Sequence, residues 1–234
     1  MKINKDYYRL FFFRTLGNFL IIISIIMILK TWLPALGQEA KYTLRNFRGV
    51  QTQVAVVEEN IPLPTPTPKN NPFQNLLNQL SEKQEVIIPQ DTDFSIVIPK
   101  IAANSRVVAN VNSSNYDQYI SALQYGVAHA QGTALPGDGG HMYLFAHSTD
   151  NILNVGTYNA VFYLLYKLEE GDKIYLFYKG KKHLYKVIGK KTVAPTEIQY
   201  LTRSSSSEFL TLQTCWPPGT TLKRLVVFAV PVVK

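Results

Sequence analysis

The feature that most constrains this chain is an uncharged apolar run, Thr15–Leu29, whose apolar character continues past Lys30 through Trp32, Leu33 and Leu36. A helix over residues 15–36 would be about 33 Å long at ~1.5 Å per residue, enough to cross a hydrocarbon core of roughly 30 Å. Lys30 near one end can snorkel to the interface, and Trp32 suits an aromatic belt. Lys2, Lys5, Arg9 and Arg14 precede the run with only Asp6 against them. The excess of positive charge puts residues 1–14 in the cytoplasm and everything after the span outside. A cleaved signal peptide is the competing reading, with Ala35-Leu36-Gly37 as a tolerable cleavage site. Both readings export the rest of the chain.

Beyond the span the composition changes twice. Residues 37–90 hold the alternating prolines of Ile61–Pro68, which favour extended polyproline II, and then a dense series of Asn and Gln. This segment is expected to be an extracellular stalk, with one short amphipathic helix over Phe73–Leu80. Residues 91–234 have the length of a common domain and can bury a core. Strands are expected at Phe94–Ile98, Met142–His147, Lys173–Tyr178, His183–Ile188, Phe209–Cys215 and Arg224–Val230. Lys179-Gly180-Lys181 reads as a hairpin turn, Tyr158–Glu169 as a helix stopping before Gly171, and Tyr116–Tyr125 as a second short helix. Several short strands with turn signals suggest a closed or nearly closed barrel.

Composition narrows the chemistry. One cysteine among 234 residues excludes an intramolecular disulfide and a multi-cysteine zinc site. The net charge of +8 is spread along the chain, densest over Lys179–Lys191. A nucleic-acid footprint would be more concentrated, so this run reads as a solvated basic face. Asp138, Asp150, Glu169, Glu170 and Asp172 are scattered and demand no calcium ion, and no cofactor is called for.

Cys215 ends an alternating run, Phe209–Cys215, and Trp216-Pro217-Pro218-Gly219 breaks the strand after it. Alternation puts Phe209, Thr211, Gln213 and Cys215 on one face. A thiol at a strand end can meet solvent or substrate, although a lone cysteine is commonly a small buried hydrophobe. Arg224 opens the next strand after eight intervening residues, Trp216–Lys223, so antiparallel pairing would set its guanidinium beside the thiol. There it could stabilise a thiolate or an oxyanion, or be an ordinary strand-end arginine. A base for the cysteine must come from elsewhere in the chain. His147 ends its own strand; His129 precedes a glycine-rich loop and reads as packing it, with a role as the base as the alternative; His141 opens the strand that His147 closes; His183 reads as a surface residue of the basic hairpin.

Thr211-Leu212-Gln213-Thr214-Cys215 fits the TLxTC motif of sortases, the membrane-anchored cysteine transpeptidases of bacteria. Phe94–Ile101 resembles that family's opening strand, and Gly126–Gly140 its glycine-rich loop. Ala146-His147-Ser148 resembles the site of its catalytic histidine, with Ala146 in place of the usual glycine. Phe162, Leu165, Leu168, Gly171 and Asp172 resemble its F..L..L..GD stretch, and Arg224–Val227 its arginine strand. The resemblance implies an eight-stranded β-barrel with short connecting helices, preceded by the one transmembrane helix. It implies that Cys215 attacks an LPxTG-like sorting signal on a secreted protein, forming a thioacyl enzyme that an amine acceptor of the cell envelope resolves. His147 would be the general acid and then base, and Arg224 the oxyanion stabiliser. A free thiol and a free imidazole, with pKa values near 8.5 and 6.5, coexist as thiolate and imidazolium in only about one per cent of molecules at neutral pH. Either the site shifts both, or a minor ionised pair does the work. A sortase-like hydrolase and a non-catalytic exported barrel are the alternatives. No second apolar span follows Arg224 before Lys234, and no lid is evident, although residues 38–90 could hide one. Class D or E is therefore expected over pilin assembly.

Overall fold

The computed structural model describes residues 5–54, 84–148 and 160–232. The chain divides into two compact units, Met1–Thr43 and Leu44–Lys234. The first is taken up by helix α1 (Lys5–Phe47), whose Tyr7–Lys30 stretch is long and apolar enough to cross a membrane. Its large side chains, Phe11, Phe19, Ile22 and Ile26 among them, are exposed all round. A helix that is apolar on every side has no core-facing stripe and needs an apolar solvent. Within the run, Ser24 Oγ donates to the Leu20 carbonyl at 2.8 Å, which satisfies a hydroxyl that lipid could not. The helix continues eleven residues past Leu36 before it ends at Phe47.

The second unit holds ten strands: β1 (Gln51–Val54), β2 (Gln84–Ile87), β3 (Phe94–Ile98), β4 (Ala103–Val111), β5 (Val127–Ala130), β6 (His141–Phe145), β7 (Lys173–Tyr178), β8 (Lys181–Val193), β9 (Phe209–Trp216) and β10 (Lys223–Pro231). Eight of them close a barrel in the order β10-β8-β7-β3-β4-β5-β6-β9. Pairings are antiparallel except β4–β5 and β6–β9. The first parallel crossover is helix α2 (Tyr116–Tyr125), started by Asn115, whose side chain accepts from the Gln118 amide. Strands β1 and β2 pair in parallel outside the barrel, and Ile87 and Val54 pack on Val97 and Phe177. The described part of the expected stalk is thus helix up to Phe47 and then these two strands; the proline run and Phe73–Leu80 lie outside the described residues.

The barrel's inside is set by alternation. Met142 and Leu144 of β6, Leu210 and Leu212 of β9, and Leu225 and Val227 of β10 are buried and face one another in register. The other faces of the same strands carry Tyr143, Phe145, Thr211, Gln213, Cys215, Arg224 and Phe228. The hairpin at Lys179-Gly180 joins β7 to β8, with φ of 48° and 75° at the two turn residues, the positive pair of a type I′ turn.

Two expectations need correction. The helix over Tyr158–Glu169 is a single 3-10 turn, Leu165–Lys167, with i→i+3 bonds from Leu165 to Phe162 and from Leu168 to Leu165; residues 149–159 lie outside the described residues. Phe162, Leu164, Leu165 and Leu168 are all buried, so packing in a short connection decides the backbone where a brief helix cannot support itself. His183 is half-buried, not a surface residue. Its ring lies under the loop at Gly137, where an added Cβ would come within 3.0 Å of it.

Candidate active site

β9 runs between β6 and β10, and registry brings Cys215 and Arg224 together at one end of it. Cys215 pairs directly with Arg224 across the antiparallel β9–β10 ladder, as the strand order in the sequence suggested. On the other side, the parallel register ends at Phe145 opposite Gln213. The chain then continues alongside: the Ala146 amide donates to the Gln213 carbonyl at 3.1 Å, and Thr214 Oγ1 donates to the Ala146 carbonyl at 2.9 Å. One residue further on is His147, two residues past the end of β6. Its carbonyl accepts from the Phe162 amide at 3.3 Å, which fixes the main chain there. The thiol is free and half-buried. Arg224 Nη1 donates to the carbonyls of Thr221 and Lys223, both at 3.1 Å, so the guanidinium is seated on the β9–β10 connection.

Below the thiol the outer face of β6 and β9 is a polar floor. The Tyr143 hydroxyl donates to Gln213 Oε1, which ties the two strands together through their side chains. Burial pushes the Tyr143 phenol far above its usual range, and the Arg224 charge opposes this. Further along, His141 Nε2 and Thr211 Oγ1 share a hydrogen bond of 2.9 Å. The β8–β9 connection roofs the far end: Tyr200 stacks on Phe228 at 5.8 Å, and Arg203 lies 4.8 and 5.3 Å from the Phe209 and Phe228 ring centres.

Tyr119 of α2 also belongs to this neighbourhood. Desolvation raises its pKa first, then Tyr116 and Cys215 raise it while Arg224 lowers it, so both site groups act on its phenol. Sequence reasoning missed Tyr119, Tyr143 and Arg203. Only Gln213 carried a signal, through its alternation with Cys215.

Two other histidines lie away from the thiol. His129 is buried; its Nδ1 accepts from the Asn110 amide at 3.1 Å, and its Nε2 donates to the Ala134 carbonyl at 3.0 Å, which fixes a neutral ring. Burial lowers its pKa. This is the loop-packing role expected of it. Burial, then the Arg203 charge, lowers that of His141, against a smaller opposite pull from the Arg203 backbone. Among the described residues no cluster of His, Cys, Asp or Glu could hold a metal ion.

Fold and site together define a closed mixed β-barrel with an accessible thiol at the end of a central strand. The family model described as sortase domain matches residues 96–232. The chain belongs to the sortase family. Sortase C1 of group B Streptococcus pilus island 1 is 30% identical with a TM-score of 0.50, over 60% of this chain and 64% of that one. Sortase C2 of the same pilus island is 26% identical with a TM-score of 0.50, over 60% and 73%. A pilus-related sortase C of group B Streptococcus is 27% identical with a TM-score of 0.50, over 62% and 69%. The chain thus spans less than two thirds of the length of sortase C1. No curated protein matches the chain.

Proposed function

We propose that this chain is a membrane-anchored cysteine transpeptidase acting on an LPxTG-like sorting signal. The observation that carries the reading is the registry of Cys215 opposite Arg224 at the end of β9, and His147, two residues past the end of β6, is assigned as the acid–base partner. The Cys215 thiolate adds to the carbonyl before the cleaved bond, and Arg224 stabilises the resulting oxyanion. Collapse breaks the C–N bond as His147 delivers its proton to the leaving amine. A thioester remains on Cys215. His147 then takes a proton from an incoming envelope amine, which attacks the thioester and restores the thiolate. Helix α1 serves as a signal-anchor with residues 1–14 in the cytoplasm, residues 15–36 in the lipid, residues 37–90 as a spacer and the catalytic domain, residues 91–234, outside.

The test is a fluorogenic sorting-signal peptide given to the full chain in detergent micelles. Cleavage should vanish in Cys215→Ala, and triglycine should yield a ligated product. Equal cleavage by the variant overturns Cys215 as the nucleophile, and cleavage without ligation makes the chain a hydrolase. For subtype, we assign class D or E, in which single proteins are joined to an envelope amine. Covalent ladders formed from pilin subunits would instead give it the pilus role named for its solved neighbours.

A further inference from the structure

An open cleft of about 530 Å³ lies at the end of the floor remote from Cys215. One wall is Gln131–Ala134 from the loop after β5, the other Leu201–Ser205 before β9, and His141 forms the base. No carboxylate is among its lining residues. His141 is 5% exposed, and its Nδ1 makes no hydrogen bond of ordinary geometry among the described residues, the Arg203 backbone exerting only a small pull on the ring. Arg203 leans on Phe209 and Phe228, so its charge stands over the two strands that carry Cys215 and Arg224. A buried ring nitrogen without such a bond, beside a cation with no facing acid, is a half-made site for an anion.

We propose that this cleft is a subsite for an acidic side chain of the protein being anchored, upstream of the cleaved bond. The inference rests on the peptide-cleaving reading given above. His141 pairs with Phe209, six residues before Cys215 along β9, or about 20 Å at ~3.3 Å per residue. The paired floor lies wholly on that side of the thiol, because β9 ends at Trp216. The acyl part of the substrate must stay bound while the amine leaves and its replacement enters, so the acyl part occupies the floor. An extended peptide covers the distance in about six residues. Its carboxylate would pair with Arg203 and accept from His141 Nδ1–H, with Thr211 donating to Nε2; the ligand thereby selects the tautomer.

The experiment compares peptides carrying Glu, Gln or Lys six residues before the cleaved bond, using the full chain in detergent. The Glu peptide should exceed the Gln peptide by about tenfold in kcat/KM, chiefly through KM, with Lys poorer still. Arg203→Gln should abolish this preference, and an unchanged circular dichroism spectrum and melting curve show that the variant is folded. The advantage should shrink as salt is raised. Equal use of Glu and Gln peptides, or a preference that survives Arg203→Gln, overturns the proposal. Peptide affinity for the Cys215→Ala chain reads the subsite without turnover. Tighter binding of the Glu peptide with no cleavage by the unaltered chain would sink the cleavage reading and keep the subsite; equal binding sinks the subsite.

Discussion

Gly126 joins α2 to β5 at φ 156° and ψ −134°, where β5 comes against β4. A Cβ placed there would stand 2.5 Å from both the Arg106 carbonyl oxygen and Ser105 Oγ. The hydroxyl can rotate away, but the carbonyl belongs to a barrel strand and cannot. Gly126→Ala should therefore push β5 from β4. Overpacking costs about 1–3 kcal/mol, and a backbone region that glycine alone tolerates costs another ~1–3. The middle of that range, about 4 kcal/mol, corresponds to a fall in Tm of about 8–16 °C for a domain of 150–250 residues. Gly180→Ala is the control: φ is also positive, 75°, but nothing lies within 4 Å of the added carbon. Its loss should be conformational only, about 1–2 kcal/mol. Melting of the full chain in detergent, followed by near-ultraviolet circular dichroism, measures both. The reasoning is refuted if Gly126→Ala melts no lower than Gly180→Ala.

Arg224→Gln should lower kcat by about 10²-fold or more while KM changes little, as loss of an oxyanion donor does, measured by steady-state peptide cleavage. Tyr143→Phe removes the hydroxyl that holds Gln213 and should lower stability by about 1 kcal/mol, seen as a Tm some 2–4 °C lower. Burial lowers the pKa of His129 and His141, so the unfolded chain takes up protons more readily than the folded one. Stability should be whole above about pH 6.5 and fall as pH drops below it, by at most about 1.4 kcal/mol per pH unit for each ring, levelling off below the folded pKa values. Melts between pH 8 and pH 5 check this, and His129→Gln should flatten the curve.

Much of the barrel was legible because β7 and β9 alternate along most of their length and β3 and β10 are short apolar runs bounded by turn residues. Strand β4 was not, since Ala103–Val111 mixes Asn, Ser and Arg with valines and its pairing is shared between two neighbours. Strand β5 is four residues long and buried throughout, which leaves no period to read. Tyr158–Glu169 shows the reverse failure: helical spacing was present, but the buried leucines serve one turn against the barrel. At the site, Cys215 and Arg224 could be joined by counting along one connection. The polar floor could not, because Tyr143 meets Gln213 through a parallel pairing seventy residues apart. Arg203 lay in a serine-rich loop with no period, and only the ring pair beneath it reveals its use.

The central claim is that the single thiol of this chain carries the acyl group. Mass spectrometry of the full chain, quenched in acid after mixing with a sorting-signal peptide, tests it most directly. The account predicts a covalent adduct of the peptide's amino-terminal fragment on Cys215, released by hydroxylamine and missing in Cys215→Ala. Peptide cleavage with no such adduct, and undiminished in that variant, would contradict it.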